Sequence, residues 1–311
     1  MTKKAIKNIG ASIRDRLRNE AKRLGNDFNL ILERYALERV LYRLSCSEYK
    51  SRFILKGGML LSIWATDSYR STRDADFLSY GDSEPTSLAE IFRKICQIDV
   101  EQHDGLTFDL SGEIHSKIKE DQEYEGIRLK FKAFLDSIEI GLQFDIGFGD
   151  HVTPEPEIIE YPVLLDLPKP ILFVYPKETV VAEKFEAMAK LGLLNSRMKD
   201  YYDLYYLSSN FSFDGEILAE AIKNTFARRK TEIPATLPEG LSDKFAQDSA
   251  KLQQWKAFLN RTPLKAEKKA LGEIIEALNL FLMPPTQAIS TSKSFTKYWN
   301  PSAWNGTGSV K

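Results

Sequence analysis

The run from Phe53 to Leu78, FILKGGMLLSIWATDSYRSTRDADFL, constrains what this chain can fold into more than any other stretch. A short apolar segment, Phe53-Ile54-Leu55, ends in Lys56-Gly57-Gly58, and Met59 to Trp64 resumes at helix-compatible spacing. After a polar loop comes Asp74-Ala75-Asp76-Phe77-Leu78. Side chains alternate faces along a strand, so Asp74 and Asp76 point one way while Ala75 and Phe77 point to the core. Two neighbouring carboxylates repel unless a counter-charge joins them, and carboxylate oxygens suit Mg²⁺. Two glycines between a strand and a helix let backbone N–H groups approach a phosphate, where the helix N-terminus favours negative charge. Either half alone is more often a solvated strand end. The combination points to a metal and phosphate site.

Composition narrows the class. A chain of 311 residues with 43% hydrophobic and 28% charged residues is of ordinary globular type, with room for one large or two modest domains. No apolar run reaches membrane-spanning length, and the N-terminus lacks the apolar core of a secretory signal. A cytoplasmic protein without membrane association is therefore expected. Cys46 and Cys96 are too few for a disulfide framework or a cysteine zinc site, and His103, His115 and His151 show no ligand spacing. This argues against histidine-triad and zinc chemistry. Charge is uneven: residues 1–52 hold 13 Lys/Arg against 6 Asp/Glu, whereas residues 74–166 hold 7 against 22. The basic segment is either a solvated helical surface or an attractor for a polyanion.

Along the chain, residues 11–24 read as a basic amphipathic helix stopped by Gly25, and Asp27 caps a second helix from Phe28 to about Leu44. Pro85 opens another helix, to Ile95. From Gly105 to Phe148 the period becomes strand-like, with candidate strands at 107–110, 126–134 and 137–148 arranged as antiparallel meanders. In the last, Ile138, Ile140, Leu142, Phe144 and Ile146 alternate with Glu139, Gly141, Gln143 and Asp145. Asp145 is then either an exposed strand residue or, if its strand lies beside Asp74–Asp76, a third carboxylate.

The proline-rich segment 151–174 reads as a linker with one short strand at Val163-Leu164-Leu165, and the chain beyond it as helical. A helix from Pro176 to Leu191 carries Glu183, Glu186 and Lys190 on its wet face and Lys184 within its apolar stripe. That lysine either snorkels to solvent or delivers a cation to an enclosed anion. On the helix from Ser196 to Leu207, Lys199 and Asp203 are spaced for a surface pair, while Asp200 falls on the more enclosed side. Its tyrosines fit packing better than base stacking. Further helices are expected at 215–228, 241–260 and 266–282, then an extended tail from Met283 held by Trp299 and Trp304. Arg228-Arg229-Lys230 is a small basic cluster.

In order and spacing, these pieces resemble the AbiEii/AbiGii-type nucleotidyltransferase toxins, a branch of the DNA polymerase β-like nucleotidyltransferase fold. The matching residues are Leu55-Lys56-Gly57-Gly58 with Leu60, Arg70-x-Thr72-x-Asp74-x-Asp76, Asp145 to Asp150, Glu183-Lys184, and Lys199-Asp200-Tyr201-Tyr202-Asp203-Leu204. They span residues 50–207, about half the chain. Gly58 stands where the wider superfamily most often has serine, and Ala75 where many members have a β-branched residue.

The resemblance implies an α+β fold: a mixed nucleotidyltransferase-type sheet flanked by helices, followed by a mostly helical C-terminal domain. The implied division is N-terminal helices 1–52 packed on the catalytic domain, a core at 53–160, a helical domain at 161–283 and an extended tail at 284–311. It further implies transfer of a nucleoside monophosphate from an NTP to an acceptor, commonly the 3′ end of a tRNA, with two Mg²⁺ ions and release of pyrophosphate. The implied setting is a toxin–antitoxin or phage-defence system with an AbiEi-like antitoxin. By position, Asp74, Asp76 and Asp145 would hold the metal ions, with Asp145 near the acceptor hydroxyl. Lys56, Gly57, Gly58, Arg70, Thr72 and Lys184 would bind the nucleotide, and Asp200 would orient the nucleotide or Lys184. Other members of the fold modify a small molecule or a protein hydroxyl, and a non-catalytic interaction module on the same scaffold is the alternative of another class.

Overall fold

The computed structural model describes residues 8–64, 72–111, 114–121, 124–261 and 268–306. The chain divides into two compact units, Met1–Gly149 with Glu157–Val174, and Asp150–Pro156 with Tyr175–Lys311.

In the first unit, Asn8 accepts from the Ala11 N–H to start α1 (Ile9–Leu24), and Gly25 ends it with φ +68°. Asp27 caps α2 (Phe28–Ser45) by accepting from the Asn29 and Leu30 N–H groups. Then come β1 (Phe53–Lys56), a single 3₁₀ turn at Gly57–Leu60, α3 (Leu61–Trp64), β2 (Asp74–Ser79) and α4 (Pro85–Cys96). The remaining strands are β3 (Leu106–Asp109), β4 (His115–Asp121), β5 (Tyr124–Leu135), β6 (Ile138–Phe148), β7 (Glu157–Glu160) and β8 (Ile171–Val174).

They form one mixed sheet in the order β3-β5-β6-β2-β1-β8-β7, with β4 also paired to β5. β2 runs parallel to β6 and antiparallel to β1, and β1 runs parallel to β8. The three strands expected over 107–148 are β3, β5 and β6, antiparallel neighbours as expected, and β2 then pairs with the other edge of β6. On the core face, Phe53, Phe77, Phe92, Phe131 and Phe144 stack with ring centroids 5.1 to 6.4 Å apart. Burying each ring contributes about 2 kcal/mol, so this cluster fixes which face of β2 and β6 is turned inward. Asp74, Asp76 and Asp145 are thereby forced onto the other face.

The sequence reading of 163–165 as a strand is not borne out. Strands form on either side, at β7 and β8, and the Leu164 N–H donates to Glu38 Oε2 at 2.9 Å. Glu38 is fully buried on α2, its other oxygen taking the Arg34 Nε–H at 2.8 Å. Burial pushes its carboxyl above the usual range against the pull of Arg34. Tyr161 anchors the same segment through its hydroxyl, 2.8 Å from Ser62 Oγ, and burial pushes that phenol up to about 12.

The second unit holds α5 (Lys177–Leu191), α6 (Met198–Asn210), β9 (Phe213–Asp214), α7 (Gly215–Arg228), α8 (Asp243–Gln247), α9 (Ser249–Arg261), α10 (Leu271–Ser290), β10 (Tyr298–Asn300) and β11 (Ala303–Asn305). The single helix expected over 241–260 is broken, because Asp248 is extended and its carboxylate takes the Lys251 N–H at 2.9 Å, starting a new helix. The extended tail expected from Met283 is also corrected. α10 begins at Leu271, later than the expected 266, and runs through Pro284 and Pro285 to Ser290.

Two prolines remove the N–H groups that would bond the carbonyls of Leu280 and Phe281. The indole Nε1–H of Trp304 donates to both, at 3.1 Å each. Trp299 donates to the Ser208 carbonyl at 2.6 Å, and its strand β10 pairs with β9 and β11. The tryptophans thus hold the chain end as a hairpin and make the diproline helix tolerable. Among the described residues, no helix is long and apolar enough to cross a membrane.

Candidate active site

Four charged side chains form a row across the centre of the sheet. Backbone register sets Lys56 on β1 opposite Asp76 on β2, Asp76 beside Asp145 on β6, and Asp145 opposite Arg128 on β5. Residues paired in register share a face, so the row reads cation, acid, acid, cation. Asp74, two residues before Asp76, adds a third carboxylate. Ligand oxygens of Asp74, Asp76 and Asp145 all lie within 4.8 Å of one another. This is an all-oxygen donor set on three fixed strand positions, which suits a hard divalent cation such as Mg²⁺.

Each acid is held individually. The Thr72 hydroxyl donates to Asp74 Oδ1 at 2.6 Å. Arg128 grips Asp145 with two bonds, Nε to Oδ1 at 2.8 Å and a terminal nitrogen to Oδ2 at 2.6 Å, and Gln143 Nε2 reaches Oδ2 at 3.4 Å. The bond to Asp145 raises the Arg128 guanidinium pKa further, so this cation stays charged at any working pH. The carboxylate of Asp76 rests against the backbone of Gly57, which opens the 3₁₀ turn with φ +71°. A Cβ there would meet Asp76 Oδ2 at 1.9 Å. Only glycine gives both the left-handed backbone and the room.

Gly57→Ala is therefore expected to lower stability by about 1–2 kcal/mol and to displace Asp76. Thermal melting with and without Mn²⁺ checks this: the variant should melt lower and lack the metal-induced rise expected of the wild type.

Lys56 also lies on this face, with Nζ 3.9 Å from the position of a Cβ on Gly147, so the chain spans β2 toward β6. Gly58 lies within the same turn as Gly57. Arg70 falls outside the described residues. Arg128 and Gln143 were not singled out from sequence. The signal for Arg128 was the period of two over 126–134, which sets Arg128, Lys130 and Lys132 on the face opposite Ile127, Leu129, Phe131 and Ala133, and for Gln143 the same alternation over 138–148.

The other expected residues lie in the second unit. Lys184 on α5 donates to Asp200 Oδ1 at 2.5 Å and Asp203 Oδ2 at 2.9 Å, both on α6. Its ammonium thus meets enclosed anions from its own unit. Two expectations are corrected here. Asp203 is the more enclosed carboxylate, at 0% exposure against 5% for Asp200, and it faces Lys184 instead of making a surface pair with Lys199. Glu186 is not on a wet face either: it is buried, with Oε2 taking Arg229 and Oε1 taking the Thr231 hydroxyl. Burial alone would lower the Arg229 pKa, but Glu183, Asp150 and Glu186 together raise it well above its ordinary value. Arg229 is engaged inside its unit, so the basic cluster at 228–230 is weaker support for a polyanionic partner than its sequence suggests.

A mixed sheet carrying three convergent carboxylates beside a strand–Gly-Gly–turn defines a nucleotidyltransferase. The family model for the nucleotidyl transferase AbiEii toxin, Type IV TA system, matches residues 39–277. The chain belongs to that family of nucleotidyltransferase toxins, whose members act in toxin–antitoxin systems and so imply an antitoxin partner. Among solved structures, a provisionally assigned nucleotidyltransferase from H. pylori is similar at 14% identity and TM-score 0.49, covering 85% of this chain and 98% of its own. JHP933 from Helicobacter pylori is similar at 15% identity and TM-score 0.48, covering 84% and 97%. No curated protein matches the chain.

Proposed function

We propose that this protein is a Mg²⁺-dependent toxin of the cytoplasm, in a toxin–antitoxin or phage-defence system with an AbiEi-like antitoxin. Its reaction is transfer of a nucleoside monophosphate from an NTP to the 3′ end of tRNA, with release of pyrophosphate. The observation that carries this reading is the convergence of Asp74, Asp76 and Asp145 on one face, their oxygens within 4.8 Å and Gly57 bare beside them. When bound there, Mg²⁺ would neutralise the polyphosphate and stabilise the attacking and leaving oxygens of an in-line displacement.

The chain's own groups take the remaining roles. Asp74 and Asp76 would hold the metal, and Gly57 and Gly58 would admit the polyphosphate to the backbone. Lys56 sets a positive charge on the same face, and Thr72 keeps Asp74 in place. Asp145 serves the acceptor side, where the grip of Arg128 fixes its orientation. We assign Lys184 to the polyphosphate, its ammonium oriented by Asp200 and Asp203.

Incubation of the protein with total tRNA, Mg²⁺ and each labelled NTP in turn tests the reading. Label should enter tRNA, with one NTP preferred, and EDTA should stop it. Label that enters a small molecule or protein while tRNA stays unlabelled with all four NTPs would move the acceptor to that other class.

A further inference from the structure

The face of the sheet that carries the acids continues along β5 and β6 as a shallow groove of about 420 Å³. Gly141 and Gln143 line it on β6, Lys130 and Lys132 on β5, with Arg73 and Glu33 also at its wall. Register ties it to the acids: Arg128 pairs with Asp145, Lys130 with Gln143 and Lys132 with Gly141. Gln143 reaches back to Asp145, and Asp74 pairs with Gln143 on the neighbouring strand.

We infer that this groove binds the sugar–phosphate backbone of a polynucleotide acceptor, leading its terminal hydroxyl to Asp145. The inference rests on the proposed RNA acceptor and names the residues that would hold it. Three features support it. The first is spacing: two residues along a strand advance about 7 Å, so Arg128, Lys130 and Lys132 form an evenly spaced row leading away from the acids. That interval is comparable with the step between successive phosphates in an extended strand.

The second is availability. Lys130 is exposed and pairs with no carboxylate among the described residues, Arg73 is 72% exposed with an ion pair to Glu33 at 3.5 Å, and Lys132 pairs with the exposed Glu139 and faces Asp109 across the ladder. Exposed pairs of that kind contribute little and exchange readily for phosphate. The third is the floor. A Cβ on Gly141 would meet nothing within 4 Å, so the sheet is bare where a backbone would lie. Phe131 and Leu142 also adjoin the groove, but both side chains are buried in the core, so what the groove presents for contact is its cations, which suits phosphate binding and carries no sequence reading.

The test uses the full-length protein and the variants Lys130→Glu, Lys130→Arg and Lys130→Ala/Lys132→Ala. Equilibrium binding of total tRNA is measured from 50 to 200 mM salt, beside binding of Mn²⁺ with a non-hydrolysable NTP analogue. The double alanine variant should bind tRNA about tenfold more weakly. The slope of log affinity against log salt should fall by about 0.7–0.9 for each phosphate that the variant no longer neutralises. Lys130→Glu should bind more weakly still, and Lys130→Arg should retain binding. Affinity for Mn²⁺ and the NTP analogue should stay as in the wild type, showing that the sheet is intact.

Unchanged tRNA affinity and salt slope in the charge-reversed and double variants would overturn the groove while leaving the acceptor assignment in place. Failure of the wild type itself to bind or label tRNA would overturn both.

Discussion

Asp76→Asn is expected to slow nucleotidyl transfer by about a thousandfold or more, which corresponds to about 4 kcal/mol of lost transition-state stabilisation. Asp76 lies at the centre of the row, between Lys56 and Asp145 in register and against the bare backbone of Gly57. Asparagine keeps the shape and the strand, so the core cluster around Phe77 is untouched, and only the charge is removed. The melting temperature should hold or rise slightly, because one of three crowded negative charges is gone. A rate within tenfold of the wild type, measured with labelled NTP and acceptor, would place the chemistry elsewhere.

Lys184→Ala is expected to destabilise the second unit by about 3–5 kcal/mol, since it leaves Asp200 and Asp203 enclosed without their shared ammonium. For a unit of this size that is a fall in melting temperature of roughly 10 °C. Loss of activity in this variant alone would not separate a fold role from a nucleotide role. The triple variant Lys184→Met/Asp200→Asn/Asp203→Asn does, because it removes the enclosed charges together. It should recover most of the stability and yet remain at least about a hundredfold slower in transfer, chiefly through KM for the NTP. Wild-type KM in a stable triple variant would leave the trio a purely structural device.

The parts legible in the sequence were those set by short-range pattern. Alternation in Ile138–Phe148 and in Asp74–Leu78 determines which side chains face inward, and the phenylalanine cluster acts on those same residues. Gly25, Asp27 and Pro85 mark helix ends by local backbone chemistry. The acids could be chosen because alternation sets Asp74 and Asp76 on one face. What joined Asp145 to them was the resemblance, since nothing in local pattern says that β2 pairs with β6.

What escaped was set by long-range interactions. Leu164 is not in a strand because Glu38, 126 positions away, takes its N–H. The helix passes through Pro284 and Pro285 because Trp304 satisfies the carbonyls they orphan. Asp203 and Glu186 look exposed on a helical wheel but are buried, because Lys184 on α5 and Arg229 just beyond α7 approach them. Arg128 was legible by period but had no partner to mark it until the register was known.

Asp74, Asp76 and Asp145 are placed to form a divalent metal centre. The most direct measurement is a Mn²⁺ titration followed by electron paramagnetic resonance, with a non-hydrolysable NTP analogue present, on the wild type and on Asp76→Asn. The wild type should remove Mn²⁺ from the free pool at a saturable site, and Asp76→Asn should bind it at least about tenfold more weakly. Equal Mn²⁺ binding by both proteins, or none by either, would contradict it.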